Sequence, residues 1–116
     1  IIALLSMIAL PAYLEQVRKN RRSAAKAHLV ALASRQMQNF VDVGTYVGMG
    51  AATPTSTSSL MPDPAELTGF YSFTSVSSGA TPNFTLIAMP INAQASDTCG
   101  SLQIDDTGHK QPANCW

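Results

Sequence analysis

Apolar residues in the first part of the chain recur every three or four positions, which is the period of an α-helix. Between residues 23 and 41 the chain is also rich in good helix formers. The predicted buried stripe consists of Ala25, Leu29, Leu32, Gln36 and Phe40, widened by Ala33, Met37 and Val41. Gly44 lies just beyond and suits the left-handed residue that ends many helices. The pattern therefore predicts an amphipathic helix that stops before Gly44.

The first ten residues, IIALLSMIAL, carry no charge and one polar side chain, Ser6. Ten helical residues rise about 15 Å, half of the roughly 30 Å hydrocarbon layer of a membrane. The segment could be the core of a secretory signal, a buried core helix, or the second half of a longer apolar helix that begins outside this chain. A signal core has its basic residues before it, whereas here they follow. We favour the third interpretation.

Pro11 lies within this helical pattern, where it removes one backbone hydrogen bond and is expected to kink or loosen the helix. The pattern resumes at Ala12, so we predict one helix of about 42 residues and roughly 63 Å. That length exceeds what a 116-residue globule can cover, and residues 1–22 are expected to project. A projecting apolar helix must enter a membrane or pack with copies of itself.

Beyond the helix, residues 48–64 combine Gly, Pro, Ser and Thr with little charge, which is typical of an irregular connection. Alternating apolar and polar positions then predict four antiparallel strands, at residues 70–76, 84–89, 102–105 and near 110–112. Strands laid across the helical stripe make an α+β fold, a long helix on a small antiparallel sheet.

This pattern predicts two parts of the chain. Residues 1–22 form the projecting helix, and residues 23–116 form the globular head. Within the head, the amphipathic half of the helix comes first, residues 47–68 form an irregular loop, and residues 69–116 form the sheet and a C-terminal loop. The length of 116 residues fits one such head.

The zero net charge hides an asymmetry between the two halves. Residues 1–40 carry six basic residues against Glu15 alone, a balance of +5, and residues 41–116 carry Lys110 against six acidic residues, a balance of −5. The overall balance argues against a dedicated nucleic-acid-binding protein. The hydrophobic content of 46% argues against a disordered chain.

Most of the positive charge lies in one stretch, which contains Arg18, Lys19, Arg21, Arg22 and Lys26. A solvated helix surface is the simplest interpretation. Immediately after an apolar helix, these residues could also contact anionic lipid headgroups, or the acidic half of a neighbouring subunit. Nucleic-acid binding is a further alternative, weakly supported because no aromatic residues are interleaved for base stacking.

The segment IIALLSMIALPAYLEQVRKNRRSAAKAHL resembles the N-terminal helix of type IV pilins, from Ile1 to about Tyr46. The step from Ile8 to Tyr13 is its most specific part. The C-terminal end, with Cys99-Gly-Ser-Leu-Gln-Ile-Asp, a Thr-Gly turn and a closing Cys115-Trp116, resembles the disulfide-closed end of bacterial pilins and pilin-like minor subunits. Ala3 stands where many members have glycine, and the family's methylated first residue lies outside this chain.

The resemblance implies a structural subunit of an extracellular type IV pilus, held in the inner membrane before pilus assembly machinery adds it to a helical homopolymer. Twitching motility and cell adhesion are functions of such filaments. The filament-core or membrane positions would be Ile1, Ile2, Leu4, Leu5, Ile8, Leu10, Pro11 and Tyr13. The alternatives are a pseudopilin of a type II-like secretion or competence system, and a membrane-tethered binding module such as a DNA receptor that uses the basic helix.

The two cysteines, Cys99 and Cys115, are expected to form a disulfide near the end of an exported chain. Two unrelated thiols remain an alternative, and a zinc site lacks two ligands at metal spacing. His28 is expected to pack on the helix. Asp105, Asp106 and His109 suit a hairpin tip. Asp63 and Glu66 have no partner for acid–base chemistry, so we expect no enzyme, no cofactor and no metal.

Overall fold

The structure, a computed structural model, describes residues 2–48, 54–58, 60–77 and 83–116, with residues 2–12 described by their backbone alone. It begins with one long helix, α1 (Ile2–Val43), whose 42 residues continue through Pro11 without interruption. The molecule measures 63 × 26 × 22 Å along its principal axes, so the helix sets its length. Within the described residues, no helical stretch combines the length and apolar character that a membrane crossing needs.

After the helix, the described part of the chain contains five strands, β1 (Thr55–Ser56), β2 (Tyr71–Val76), β3 (Thr85–Pro90), β4 (Leu102–Asp105) and β5 (Lys110–Gln111). They form one antiparallel sheet in which the spatial order follows the chain order. Short 3-10 helices lie at Asn92–Ser96 and Ala113–Cys115. The predicted α+β fold and its four strands are confirmed.

Strand β1 is the element that the sequence interpretation missed. Thr55 and Ser56 lie in the stretch predicted to be irregular, yet they pair with Ser75 and Thr74 of β2. Two residues are too few to show an alternating pattern, which is why the sequence does not indicate this strand. The strand forms because β2 offers it a free edge.

The helix covers one face of the sheet with the predicted stripe. Ala25, Leu29, Leu32 and Gln36 are fully buried, and Phe40 is half-buried. Ala33 also joins the core, but the prediction that Met37 and Val41 widen the stripe was wrong, because their exposed fractions are 45% and 83%. They lie on the outer side of the helix with Val30, beyond the arc that the sheet can reach.

The sheet supplies the other half of the core through alternate residues of its three longest strands. These residues are Tyr71, Phe73, Leu86, Ala88, Leu102 and Ile104. The strand register aligns them, since Phe73 pairs with Ala88 and Leu86 pairs with Ile104. Leu67, just before β2, completes the same cluster.

Gly44 ends α1 as predicted, with a φ of +83° and a hydrogen bond of 2.8 Å from its N–H to the carbonyl of Phe40. The chain after this turn is held by the buried amide of Gln36. Its Nε2 donates to the Val47 carbonyl at 3.1 Å and to Ser75 Oγ at 2.9 Å, and its Oε1 accepts from the Val47 N–H at 2.8 Å. Gln36 thus occupies an apolar position of the stripe without an unsatisfied polar group.

The predicted disulfide between Cys99 and Cys115 is present, with a sequence separation of 16 residues. It ties the turn after the first 3-10 helix to the second 3-10 helix. Both cysteines are half-buried against the core cluster, so the bridge holds the C-terminal loop onto the head.

Replacing both cysteines with serine should lower the free energy of unfolding by on the order of 3 kcal/mol, because the open chain gains entropy when unfolded. Chemical denaturation of the oxidised and reduced protein should show the same loss. The double-serine variant is the control, since added reductant should not change its unfolding midpoint. Equal midpoints for the oxidised and reduced protein would contradict the prediction.

Candidate nucleic-acid interface

The basic stretch of α1 divides between the two flanks of the helix that meet the head. Arg21 lies on one flank, where its guanidinium carbon is 3.6 Å from the centroid of the Phe70 ring. Lys19, Arg22 and Lys26 are spaced by three and four residues and share the other flank. Arg18 lies 3.6 Å from Glu15, in a half-exposed pair within the helix.

Arg22 is occupied by a buried carboxylate. Its Nε donates to Asp97 Oδ2 at 2.9 Å and a second guanidinium nitrogen donates to Oδ1, so the pair is bidentate. The side chains of Arg22 and Asp97 are only 15% and 1% exposed. Gln94 Nε2 donates to Asp97 Oδ2 at 3.3 Å and to the Arg18 carbonyl at 3.1 Å, which ties the first 3-10 helix to α1. Arg22 therefore anchors the fold and is not available to a partner.

The pKa of Asp97 follows from the same contacts. Burial alone would raise it, but hydrogen bonding to Arg22 and its positive charge, with donation from the Cys99 N–H and Gln94, hold the pKa below the ordinary value of 3.8. Hydrogen bonding to Asp97 raises the pKa of Arg22. Both groups thus stay charged at neutral pH.

Two lysines from distant parts of the chain each lie beside one of the adjacent residues Cys115 and Trp116, which we name the C-terminal turn. Lys26 Nζ donates to the Cys115 carbonyl at 2.9 Å. Lys110 Nζ lies 5.3 Å from the centroid of the Trp116 ring, and the indole N–H of Trp116 donates to the Gln111 carbonyl at 3.0 Å. Lys110 pairs in register with Ile104, a core residue, so it stands on the face of the sheet that α1 covers.

We name Lys19, Lys26 and Lys110 the basic strip. Lys19 and Lys110 are exposed and Lys26 is half-buried. The ion pairs of the described residues involve Arg18, Arg22 and His28, and none involves a lysine of the strip. Three positive charges at this flank therefore remain uncompensated by a carboxylate contact.

The outer face of the sheet has a different character. A row across all five strands consists of Ser56, Thr74, Ile87, Gln103 and Gln111, and none of these residues is charged. The basic side chains that the structure brings together thus lie along the helix and the β5 edge.

The predicted apolar helix positions lie at the other end of α1. Ile2, Leu4, Leu5, Ile8, Leu10 and Pro11 are helical, and the contacts of their side chains lie outside the described part of the chain, as does Ile1. Tyr13 is described, and its side chain is 65% exposed.

The remaining candidates from the sequence, Asp105 and His28, have contacts that explain them as parts of the fold. Asp105 Oδ1 accepts hydrogen bonds of 2.9 Å from the N–H groups of Thr107 and His109, which closes the predicted hairpin tip. His28 is 4% exposed and packs edge-on against Phe73, as expected for a packing residue. In the part of the chain that the structure describes, no group of histidine, cysteine, aspartate and glutamate side chains could hold a metal ion.

Sequence reasoning missed the partners of the basic stretch. Asp97 and Gln94 lie about 75 residues from Arg22 and Arg18 along the chain, and no local pattern indicates that they meet. For Trp116 and Lys110, the predicted disulfide was an available signal. A bridge from Cys115 to Cys99 brings the residues beside Cys115, among them Trp116, back to the sheet that contains Lys110.

Arg22→Met should lower the free energy of unfolding by about 3–5 kcal/mol at neutral pH, because it leaves the buried Asp97 carboxylate without its partner. Denaturant unfolding measures the loss, and Lys19→Met is the matched control, with an expected change below about 0.5 kcal/mol.

The same pair predicts a dependence on pH. Because the folded pKa of Asp97 is lowered, its stabilisation is complete above 3.8 and is lost as the pH falls through the folded value. The difference between wild type and Arg22→Met should therefore shrink as the pH falls below 3.8 and through the lowered pKa of Asp97. A difference that stays constant from neutral to strongly acidic pH would show that the pair does not stabilise the fold.

Comparison with known families identifies the chain. One family model, described as type IV minor pilin ComP, DNA uptake sequence receptor, matches residues 11–103. The match contains the basic stretch, the helical stripe, strands β1 to β3 and the first two residues of β4. No curated protein sequence matches the chain.

A solved structure agrees with the family match. A type IV pilin from Shewanella oneidensis is 30% identical, has a TM-score of 0.62, and the similarity covers 85% of this chain and 97% of that chain. The predicted resemblance to type IV pilins is confirmed, and with it a pilus-associated location. Since the family model matches most of the length of this chain, the chain belongs to the type IV minor pilin family ComP.

Proposed function

We propose that this minor pilin binds double-stranded DNA through the basic strip and serves as a DNA receptor on a type IV pilus. The observation that carries the proposal is that Lys26 and Lys110 both reach the C-terminal turn, at Cys115 and Trp116, on the flank that also presents Lys19. The description of the matched family as a DNA uptake sequence receptor supports it. Both favour the receptor alternative over a major filament subunit or a secretion pseudopilin.

DNA recognition begins with the phosphate backbone, which requires cations that are not already neutralised. Arg22 does not meet this requirement, because Asp97 occupies its guanidinium. The lysines of the basic strip meet it, since neither the Cys115 carbonyl nor the Trp116 ring cancels their charge. Lys19 and Lys26 are seven residues apart on the helix, a rise of about 10 Å, which spans about three phosphates along one strand of a duplex.

The other surfaces of the head fit DNA less well. The row across the outer sheet face carries no positive charge. The opposite flank of α1 presents Arg21, but Glu66 lines the same small cavity, and its negative charge repels phosphate. Charge therefore favours the basic strip.

The aromatic residues beside the cations favour contacts with an intact duplex. Arg21 covers a face of Phe70 and Lys110 covers a face of Trp116, while Trp116 also packs against the core. Rings covered in this way do not offer the open faces on which unpaired bases stack. Phosphate contacts then position the head on the duplex.

Lys110→Gln should weaken binding of a labelled duplex about threefold to tenfold and reduce the slope of log K against log salt by about 1, because one phosphate contact is lost. Lys19→Gln should act in the same direction. The full chain in detergent micelles is titrated at several salt concentrations by fluorescence anisotropy, and the single tryptophan, Trp116, gives an independent signal beside Lys110.

The matched control is Arg35→Gln, which removes an exposed cation from α1 two to three turns beyond Lys26. It should leave both the affinity and the salt slope within error of wild type. An equal effect of Arg35→Gln, or no salt-dependent binding by wild type, would overturn the proposal.

In the same proposal, helix α1 attaches the subunit to the pilus. The outer side of α1 presents an uncharged stripe that consists of Ser23, Ala27, Val30, Ser34, Met37 and Val41. Exposed Val30 and Val41 on such a stripe suit packing against neighbouring helices, and the apolar residues from Ile1 to Leu10 would extend that contact. The unassembled subunit would use this same apolar segment to stay in the inner membrane, and the assembled one would lie in the extracellular pilus.

Ile8→Asp should abolish incorporation into pili, because a carboxylate among apolar helices lacks a partner and its burial is unfavourable by several kcal/mol. Quantitative mass spectrometry of sheared pili, with the cellular amount of the subunit measured in parallel, tests this outcome. Ile8→Leu keeps the apolar surface and should incorporate normally. Normal yield of the Ile8→Asp subunit in sheared pili would contradict the proposed role of the helix.

A further inference from the structure

His28 is a buried imidazole with an unsatisfied nitrogen. The residue is 4% exposed, and its ring lies edge-on to Phe73 of β2, with 4.5 Å between the ring centroids. Its Nε2 has no hydrogen-bond partner and lies 3.7 Å from Asp63 Oδ1. That separation is too long for a hydrogen bond, so the ring is packed as a neutral group with an acidic side chain just out of reach.

Asp63 belongs to the 60–67 segment, which covers this part of the helix. Leu67 anchors the segment in the core and Met61 packs against the core, while the side chain of Asp63 remains 38% exposed. The segment holds itself together by local bonds, of which the Leu67 N–H to the Pro64 carbonyl is 2.9 Å long. His28 and the 60–67 segment thus face each other on α1, with Asp63 as the charged side chain of the segment beside the ring.

The charges that face His28 are few. Asp63 approaches it from the 60–67 segment, β2 presents the uncharged Phe73 ring, and among the described residues Asp63 is the ionisable group that affects its protonation. Burial lowers the pKa of His28 below its ordinary value of 6.5, and the Asp63 carboxylate only partly opposes this effect. A proton at Nε2 is thus less favourable in the closed structure than in water.

We infer that His28 is an acid-sensitive clasp, which holds the 60–67 segment on α1 when the imidazole is neutral and releases it when the imidazole is protonated. A lowered pKa in the closed state means that the clasp is complete above the ordinary histidine pKa and is lost as the pH falls below it. Release would widen the open cavity of about 200 Å³ beside Arg21 and Ala24, because Leu67 of the segment lines it. The inference is independent of DNA binding.

Amide hydrogen exchange measured by NMR on the full chain in micelles tests the clasp. Between pH 7.0 and 5.0, the protection factors of the Met61 and Leu67 amides should fall by a factor between about three and twenty, the upper limit being full protonation of an exposed imidazole. Protection factors remove the intrinsic effect of pH on exchange. The amides of β3 serve as the internal reference and should change less.

Variants separate His28 from other acid effects. His28→Phe keeps an aromatic ring against Phe73 and should abolish the fall in protection, whereas Asp63→Asn should deepen it, because it removes the charge that favours protonation. His109→Gln removes the exposed histidine and should behave as wild type. The chosen range lies above the pKa of Asp97 and Asp105, both held below 3.8, so these groups stay ionised.

Three results would overturn the inference. Protection of Met61 and Leu67 that is unchanged or higher at pH 5.0 would show that protonated His28 does not release the segment. An equal fall in His28→Phe would assign the effect to another group. An equal fall in β3 would show global unfolding. Should His28→Phe fail to fold, the Asp63→Asn result and the His28 titration followed by NMR still decide between these outcomes.

Discussion

The head has only one apolar sheet face, and helix α1 is the layer that covers it. Without the stripe from Ala25 to Gln36, the inner residues of β2, β3 and β4 would face water, and the sheet would have no core. The helix is longer than this role requires, since Tyr13 and Leu14 lie beyond the cover of the sheet and are exposed. One element therefore completes the core of the head and also extends out of it.

Buried polar contacts fix where the helix lies along the sheet. An apolar stripe alone tolerates sliding, because one leucine can replace another at similar energy. Gln36 near one end of the covered stretch and Arg22 near the other do not tolerate it, since displacement would leave Val47 or Asp97 without partners. The Arg22–Asp97 pair also separates basic residues that hold the fold from the lysines that remain available for binding.

The sequence predicts the elements that depend on neighbouring residues. It misses the contacts between residues that lie far apart along the chain and meet only in the folded head. Helical period and the Gly44 stop indicate α1 correctly, and the cysteine pair indicates the disulfide. The prediction that Met37 is buried was wrong because the helical period shows which side of the helix is apolar but not how wide the buried stripe is. The candidate site depends on Lys26 and Lys110 both reaching the C-terminal turn, which requires the sheet, the disulfide and the helix together. A charge count alone could not place them at one turn.

The order of the sheet, in which every strand neighbours the one before it, has a consequence for how the protein is made. Each of β2 to β5 pairs with a strand already synthesised, and the helix that covers them all comes first. Loop closures are short, which favours rapid formation of such local hairpins. A chain that emerges from its amino end can thus complete its head stepwise during translocation, with no strand waiting exposed for a distant partner.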